Sequence, residues 1–204
     1  LPEGNFSMAL DEYTLIYMIK SEAPKEKNAM NRILDNSDRY DAFRTRYNLA
    51  KYDLKTGVYQ PLTFGNRSTY LYDISHDSQY ILIGSSQTDY TKRPFSSNNL
   101  YRLNLTTFAI DTLYENEPYA GSAQFSPDDT QLLITGAPEA FGKVGLNIGK
   151  EPIANSYDNQ LFIFDLNTKK VTPITKNFDP SVESVVWNSA DQNIYMRVVD
   201  KDCN

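Results

Sequence analysis

The chain alternates short apolar runs with clusters of Asp, Asn, Ser, Thr and Gly, and the same alternation returns along its length. Leu49-Ala-Lys-Tyr52-Asp53-Leu54-Lys-Thr56-Gly57 leads to Leu62-Thr63. Leu100-Tyr-Arg-Leu103-Asn104-Leu105-Thr-Thr107 leads to Leu113, and Leu161-Phe-Ile-Phe164-Asp165-Leu166-Asn-Thr168-Lys169 leads to Ile174-Thr175. Each copy predicts a strand, a polar turn led by Asp or Asn, and a second short strand. The turn follows because those side chains bond their own backbone a few residues on.

A second hairpin pattern interleaves with the first. Phe125-Ser126-Pro127-Asp128-Asp129, followed by Leu132-Leu133-Ile134, matches Ile74-Ser75-His76-Asp77-Ser78, followed by Ile81-Leu82-Ile83. A third copy runs from Trp187 to Met196, and a weaker fourth from Met8 to Tyr17. Two hairpins in a period of 51 to 62 residues make a four-stranded unit, the grammar of a propeller blade. The expected fold is therefore all-β, a β-propeller of TolB/WD-like four-stranded blades. One partial propeller domain is expected over 1–204, with units at about 6–65, 66–117 and 118–179 and an incomplete one at 180–204. A closed ring needs at least four blades, so three to four blades predict a fragment of a longer protein. Two units carry insertions, 20–47 and 136–159, between their second and third strands, which places both on one face. The stretch Lys25–Phe43 is polar and charged enough to hold a short helix.

Charge and composition narrow the chemistry. Lys+Arg number 20 against 26 Asp+Glu, and a net charge of −6 disfavours a phosphate-backbone binder. The single cysteine, Cys203, excludes an internal disulfide and a thiolate metal cage, and the single histidine, His76, excludes a site of two imidazoles. No stretch approaches the ~20 apolar residues of a membrane helix. Neither a metal, a cofactor, a nucleic acid nor a membrane span is expected.

The remaining motifs have structural readings. Gly145-Leu-Asn-Ile-Gly149-Lys150-Glu151 fails the phosphate-loop pattern at Val144 and Glu151. No G-x-S-x-G elbow exists, and His76 aligns with Pro127 at the tip of a turn, so it reads as an exposed turn residue and no catalytic residue is assigned. Asp35-Asn-Ser-Asp38-Arg-Tyr-Asp41 lacks the Gly and terminal Glu of a calcium loop and reads as a solvated face. The N-x-[ST] triplets at Asn5, Asn66 and Asn104 decide nothing. Asp77, Asp128 and Asp129 read as turn caps, and Tyr70, Tyr72, Phe162 and Phe164 as packing between blades.

Phe125-Ser-Pro-Asp-Asp129, Leu161-Phe-Ile-Phe-Asp-Leu-Asn-Thr-Lys169 and Pro173-Ile-Thr175 resemble the repeats of TolB-type propellers. From Gly136 onward the chain is similar to the propeller domain of prolyl oligopeptidase-family serine peptidases, in the dipeptidyl-peptidase and acylaminoacyl-peptidase branch common in Bacteroidetes. The residues are Gly136-Ala-Pro-Glu-Ala-Phe-Gly142, Asn155-Ser-Tyr-Asp158, Phe178-Asp-Pro-Ser-Val182 and Trp187-Asn-Ser-Ala-Asp-Gln-Asn-Ile-Tyr195. In that family the propeller sits over an α/β-hydrolase domain that holds the Ser, Asp and His, and it filters substrates by size. Nothing here matches the hydrolase domain, so no catalytic residue carries over. The resemblance implies a non-catalytic N-terminal propeller portion that gates and positions short peptides. The implied partners are a hydrolase domain of the same parent and the peptides themselves. A TolB-like scaffold for proteins or envelope components is the alternative. The expected substrate-binding residues are Glu139 and Phe141 in the second insertion and Arg44 and Arg46 at the end of the first. A periplasmic or secreted location is expected, with the cytoplasm as the alternative. Unburied faces on the end blades predict self-association.

Overall fold

The computed structural model describes residues 5–23, 32–35, 37–38, 40–147 and 158–200. Three antiparallel sheets of four strands follow one another, each a simple meander. The first holds β1 (Phe6–Met8), β2 (Thr14–Ser21), β3 (Arg46–Asp53) and β4 (Tyr59–Pro61). The second holds β5 (Tyr70–Ile74), β6 (Tyr80–Thr88), β7 (Ser96–Asn104) and β8 (Ile110–Glu117). The third holds β9 (Ala120–Phe125), β10 (Gln131–Gly136), β11 (Gln160–Asp165) and β12 (Val171–Pro173). A two-stranded sheet, β13 (Ser181–Trp187) with β14 (Ile194–Val199), comes last among the described residues. Among the described residues the helical content is a 3-10 turn at Asp41–Arg44 and a single turn, α1, at Ala140–Lys143, whose Phe141 and Gly142 depart from right-handed helical geometry. The 3-10 turn is what the described residues show of the helix expected in Lys25–Phe43. Residues 25–31, 36 and 39 of that stretch, together with 148–157 and Cys203, lie outside the described residues.

The repeated Asx turns form by the same bonds each time. Oδ1 of Asp53 accepts from Lys55 and Thr56, that of Asn104 from Thr106 and Thr107, and that of Asp165 from Asn167 and Thr168. Four residues past the Asx comes a left-handed residue: Gly57 (φ 70°), Phe108 (φ 58°) and Lys169 (φ 57°). Only the first of these is a residue that tolerates the conformation without a Cβ clash. Phe108→Gly is therefore expected to stabilise the protein by about 0.5–1 kcal/mol, the left-handed strain relieved less the entropy glycine adds to the unfolded chain. An upward shift of the urea midpoint checks it.

Successive residues of a strand face opposite neighbours, and both faces of the inner sheets are covered. On β6, Ile81 and Ile83 pack with Ile16 and Leu49 of the first sheet, while Leu82 points the other way toward Phe125, Leu132 and Phe162 of the third. On β10, Leu132 and Ile134 face the second sheet, and Leu133 joins Val182, Val185 and Trp187 of the fourth. This explains why these strands read as unbroken apolar runs in place of strict alternation: neither face meets water.

Candidate functional site

The first strands of all four sheets converge on one cavity of about 600 Å³. Its wall is mostly aromatic and apolar, from Phe6, Met8, Tyr70, Tyr72, Phe125 and Trp187, and Asp73 and His76 are among its polar lining. Asp73 sits beside a register shift in β5, accepts the N–H of Ile74 at 2.9 Å, and reaches across to the N–H of Phe125 at 2.7 Å. Burial pushes its carboxyl above the usual range, against the two N–H donors and His76, which pull it down.

His76 is more than the exposed turn residue that its alignment suggests. Its ring Nδ1 lies 3.0 Å from Oδ1 of Asp129, whose carboxylate also accepts the backbone N–H of His76 and of Asp77 at 2.9 Å each. Asp129 occupies the left-handed position of its own turn (φ 57°), as Ser78 does one blade earlier (φ 58°), and Ser78 Oγ accepts the N–H of Asp11 at 3.1 Å. The same turn position thus reaches back to the preceding blade twice. A Ser–His–Asp triad does not form here. The adjacent Ser75 Oγ donates to Asp77 Oδ1 at 2.6 Å, within its own turn. Among the described residues no group of three His, Cys, Asp or Glu side chains is placed to hold a metal, and no helix is long and apolar enough to cross a membrane.

The two insertions leave the sheets at equivalent corners, after β2 and after β10. In the first, Arg44 forks onto Asp38, Nε to Oδ1 at 2.7 Å and Nη2 to Oδ2 at 2.5 Å, and also donates to the Arg32 carbonyl. The bonds from Arg44 hold the Asp38 carboxyl down to about 2. Arg46 donates to the carbonyls of Thr45 (2.8 Å), Asn66 (2.6 Å) and Phe43. Both guanidinium groups are thereby engaged in building the insertion itself.

In the second insertion, three consecutive left-handed residues, Phe141 (φ 54°), Gly142 (φ 76°) and Lys143 (φ 71°), fold the chain back onto the blades. The N–H of Phe141 is held by Glu117 Oε2 at 2.9 Å, and its ring stands edge-on to Tyr114 and Phe162, centroids 5.4 and 5.6 Å away. Phe141 therefore packs onto the core between the second and third blades. Glu139, immediately before α1, is 9% exposed, and its Oε2 has no hydrogen-bond partner among the described residues. Asp73 and Trp187 escaped the sequence reading as site residues. The signal for Asp73 was a lone carboxylate inside the apolar run Tyr70–Ile74.

No protein-family profile matches the chain, and no curated protein matches it. Solved structures do. TolB from Acinetobacter baumannii superposes with a TM-score of 0.57 at 15% identity, over 94% of this chain and 36% of that one. The uncomplexed acylaminoacyl peptidase of Pyrococcus horikoshii superposes with a TM-score of 0.58 at 14% identity, over 95% of this chain and 28% of that one. The fold is a TolB-like β-propeller. One of two prolyl endopeptidases studied for inter-domain dynamics matches at a TM-score of 0.51 and 13% identity, over 89% of this chain and 23% of that one. The chain thus spans between about a quarter and a third of the length of these neighbours.

The turn carboxylates give this propeller a pH dependence of definite sign. Ser126 and Thr130 hold Asp128 below its ordinary 3.8, and the backbone bonds of Thr56 and Thr168 do the same for Asp53 and Asp165. At Asp11 burial pushes upward, but the bonds from Thr14 and Tyr13 outweigh it. A carboxyl whose folded value is depressed contributes stability above its unfolded value and loses it as pH falls through the folded one. Asp73, raised by burial, acts oppositely and is a lone opposing group among these. The melting temperature is expected to hold above pH ~5 and to fall steadily below pH ~4. Asp128→Asn should flatten part of that acid limb in a pH series of thermal melts.

Proposed function

We propose that this chain is the non-catalytic propeller portion of a serine exo- or oligopeptidase, receiving and positioning short peptides for a hydrolase domain. The observation that carries the reading is the cavity where the first strands of four sheets meet. Those strands are the outer strands of their sheets. Side chains already take the N–H groups of Ile74, Phe125 and Trp187, and an extended peptide can pair with the edge backbone that remains. Aromatic walls suit apolar side chains, and Asp73 supplies a carboxylate to the lining. The likeness to acylaminoacyl peptidase and prolyl endopeptidase supports the reading at the level of fold. On the insertion rim, Glu139 is the candidate that retains an unmatched carboxylate oxygen for a peptide amine. Phe141 acts by seating that loop on the blades, and Arg44 and Arg46 by holding the first insertion. Such a protein works in the periplasm or outside the cell, and its end blades pack against further blades or another copy.

A TolB-like scaffold that binds proteins or envelope components is the second reading, favoured by the equally good superposition on TolB. Trp187 lines the cavity and is the sole tryptophan, so its fluorescence reports on occupancy. Titration with free di- to tetrapeptides should change that emission, Asp73→Asn should weaken the response, and the isolated chain should cleave none of the peptides. No response to short peptides, with a response to a folded protein partner, would sink the peptidase reading in favour of the scaffold.

A further inference from the structure

A second, smaller cleft of about 200 Å³ opens between Pro138, Leu146, Asn147 and residues 158–160 on one side and the loop from β12 to β13 on the other, and it shares no residue with the inner cavity. We propose that this cleft binds one neutral, hexose-sized sugar residue. Gln160 forms part of its wall, is 8% exposed, and its Oε1 accepts no hydrogen bond among the described residues. A buried acceptor left open in this way is one that a donor from a ligand or a water would satisfy. Gly145 lies against it so closely that any Cβ there would collide with that oxygen and with the Pro138 carbonyl, which keeps the amide in place.

The remaining lining is made of the groups that hydroxyls match. Asn147 Nδ2 donates to Asn177 Oδ1 at 3.0 Å, so two amides are held in fixed orientation, with an acceptor on the first and a donor on the second still to be used. Asp179 adds a carboxylate, and Phe178, 39% exposed, adds an apolar ring face beside them. A sugar hydroxyl donates and accepts at once, and a pyranose presents an apolar C–H face, so this mixture of amide, carboxylate and aromatic groups answers both. The volume equals about six or seven waters at ~30 Å³ each, room for one ring and too little for a drug-sized ligand. An acidic sugar is disfavoured. The Asp179 carboxylate lines the cleft, while its lysine, Lys176, is engaged with the Val144 carbonyl at 3.1 Å.

The test follows the side-chain amide signals of Asn147, Asn177 and Gln160 by NMR in the intact chain. The probes are the methyl glycosides of glucose, galactose and mannose and N-acetylglucosamine, with galacturonate and glycyl-proline as controls. At least one neutral sugar is expected to shift these signals saturably, with a millimolar dissociation constant. Phe178→Ala and Asn147→Ala, both at exposed positions, should each weaken it about tenfold while the backbone spectrum stays native. The inference is overturned if no neutral sugar shifts the signals or if galacturonate shifts them equally. It is overturned too if both variants bind like the wild type, or if only glycyl-proline binds, which would make the cleft a peptide subsite. None of these outcomes bears on the inner cavity, whose reporter is Trp187.

Discussion

Phe162→Ala should lower the free energy of unfolding by about 4 kcal/mol, the largest effect expected of any single substitution here. The ring is wholly buried where the second and third blades meet, among Leu100, Phe125, Leu132 and Ile134. Truncation loses the transfer free energy of the ring and leaves a void that sheets clamped on both sides cannot collapse to fill. It also removes the edge-on partner of Phe141, so the fold-back after Gly136 loses part of its seat. Phe141→Ala, at a half-buried position, should cost about half as much. Urea unfolding measures both. A cost under about 1 kcal/mol for Phe162→Ala would mean that the blades do not share a core at this junction.

Asp129→Ala is the second large change, expected to cost about 2–3 kcal/mol. One carboxylate, its side chain 15% exposed, takes three donors from the preceding blade, and alanine leaves the N–H groups of His76 and Asp77 without it. Hydrogen bonds to a charged acceptor are worth more than neutral ones, and alanine adds the strain of φ 57° that Asp and Asn tolerate. Asp129→Asn keeps the backbone conformation and one acceptor and should cost about 1 kcal/mol. If the latch joins blades, hydrogen exchange should quicken in β5 and β9 together. Faster exchange confined to the turn at 126–130 would show that Asp129 serves its own hairpin alone.

Much of this architecture was legible because its causes are local. An Asx turn is made by a side chain and the backbone two or three residues on, so Asp53, Asn104 and Asp165 announce it wherever they stand. The run Leu132-Leu133-Ile134 signals a strand covered on both faces, and its repetition as Ile81-Leu82-Ile83 signals stacked sheets. The position of the long connections, between second and third strands, followed from the same repeat.

The candidate site was less legible, because its parts are brought together by stacking. Asp73 meets Phe125, and Asp129 meets Asp77, across 52 residues of chain in each case. No local pattern distinguishes a turn aspartate that caps its own hairpin, as Asp128 does, from its neighbour that bonds the previous blade. Arg44 and Arg46 looked like free cations in the sequence, and Phe141 like a free apolar contact. The folded chain commits the arginines to the insertion and the phenylalanine to Tyr114 and Phe162. The sequence by itself thus determined the strands, the turns and their grouping into blades, since these depend on side-chain chemistry within a few residues. Only the tertiary structure decided which polar groups are satisfied and which, like Glu139 and Gln160, are left open, since that depends on what the neighbouring blade brings within hydrogen-bond reach.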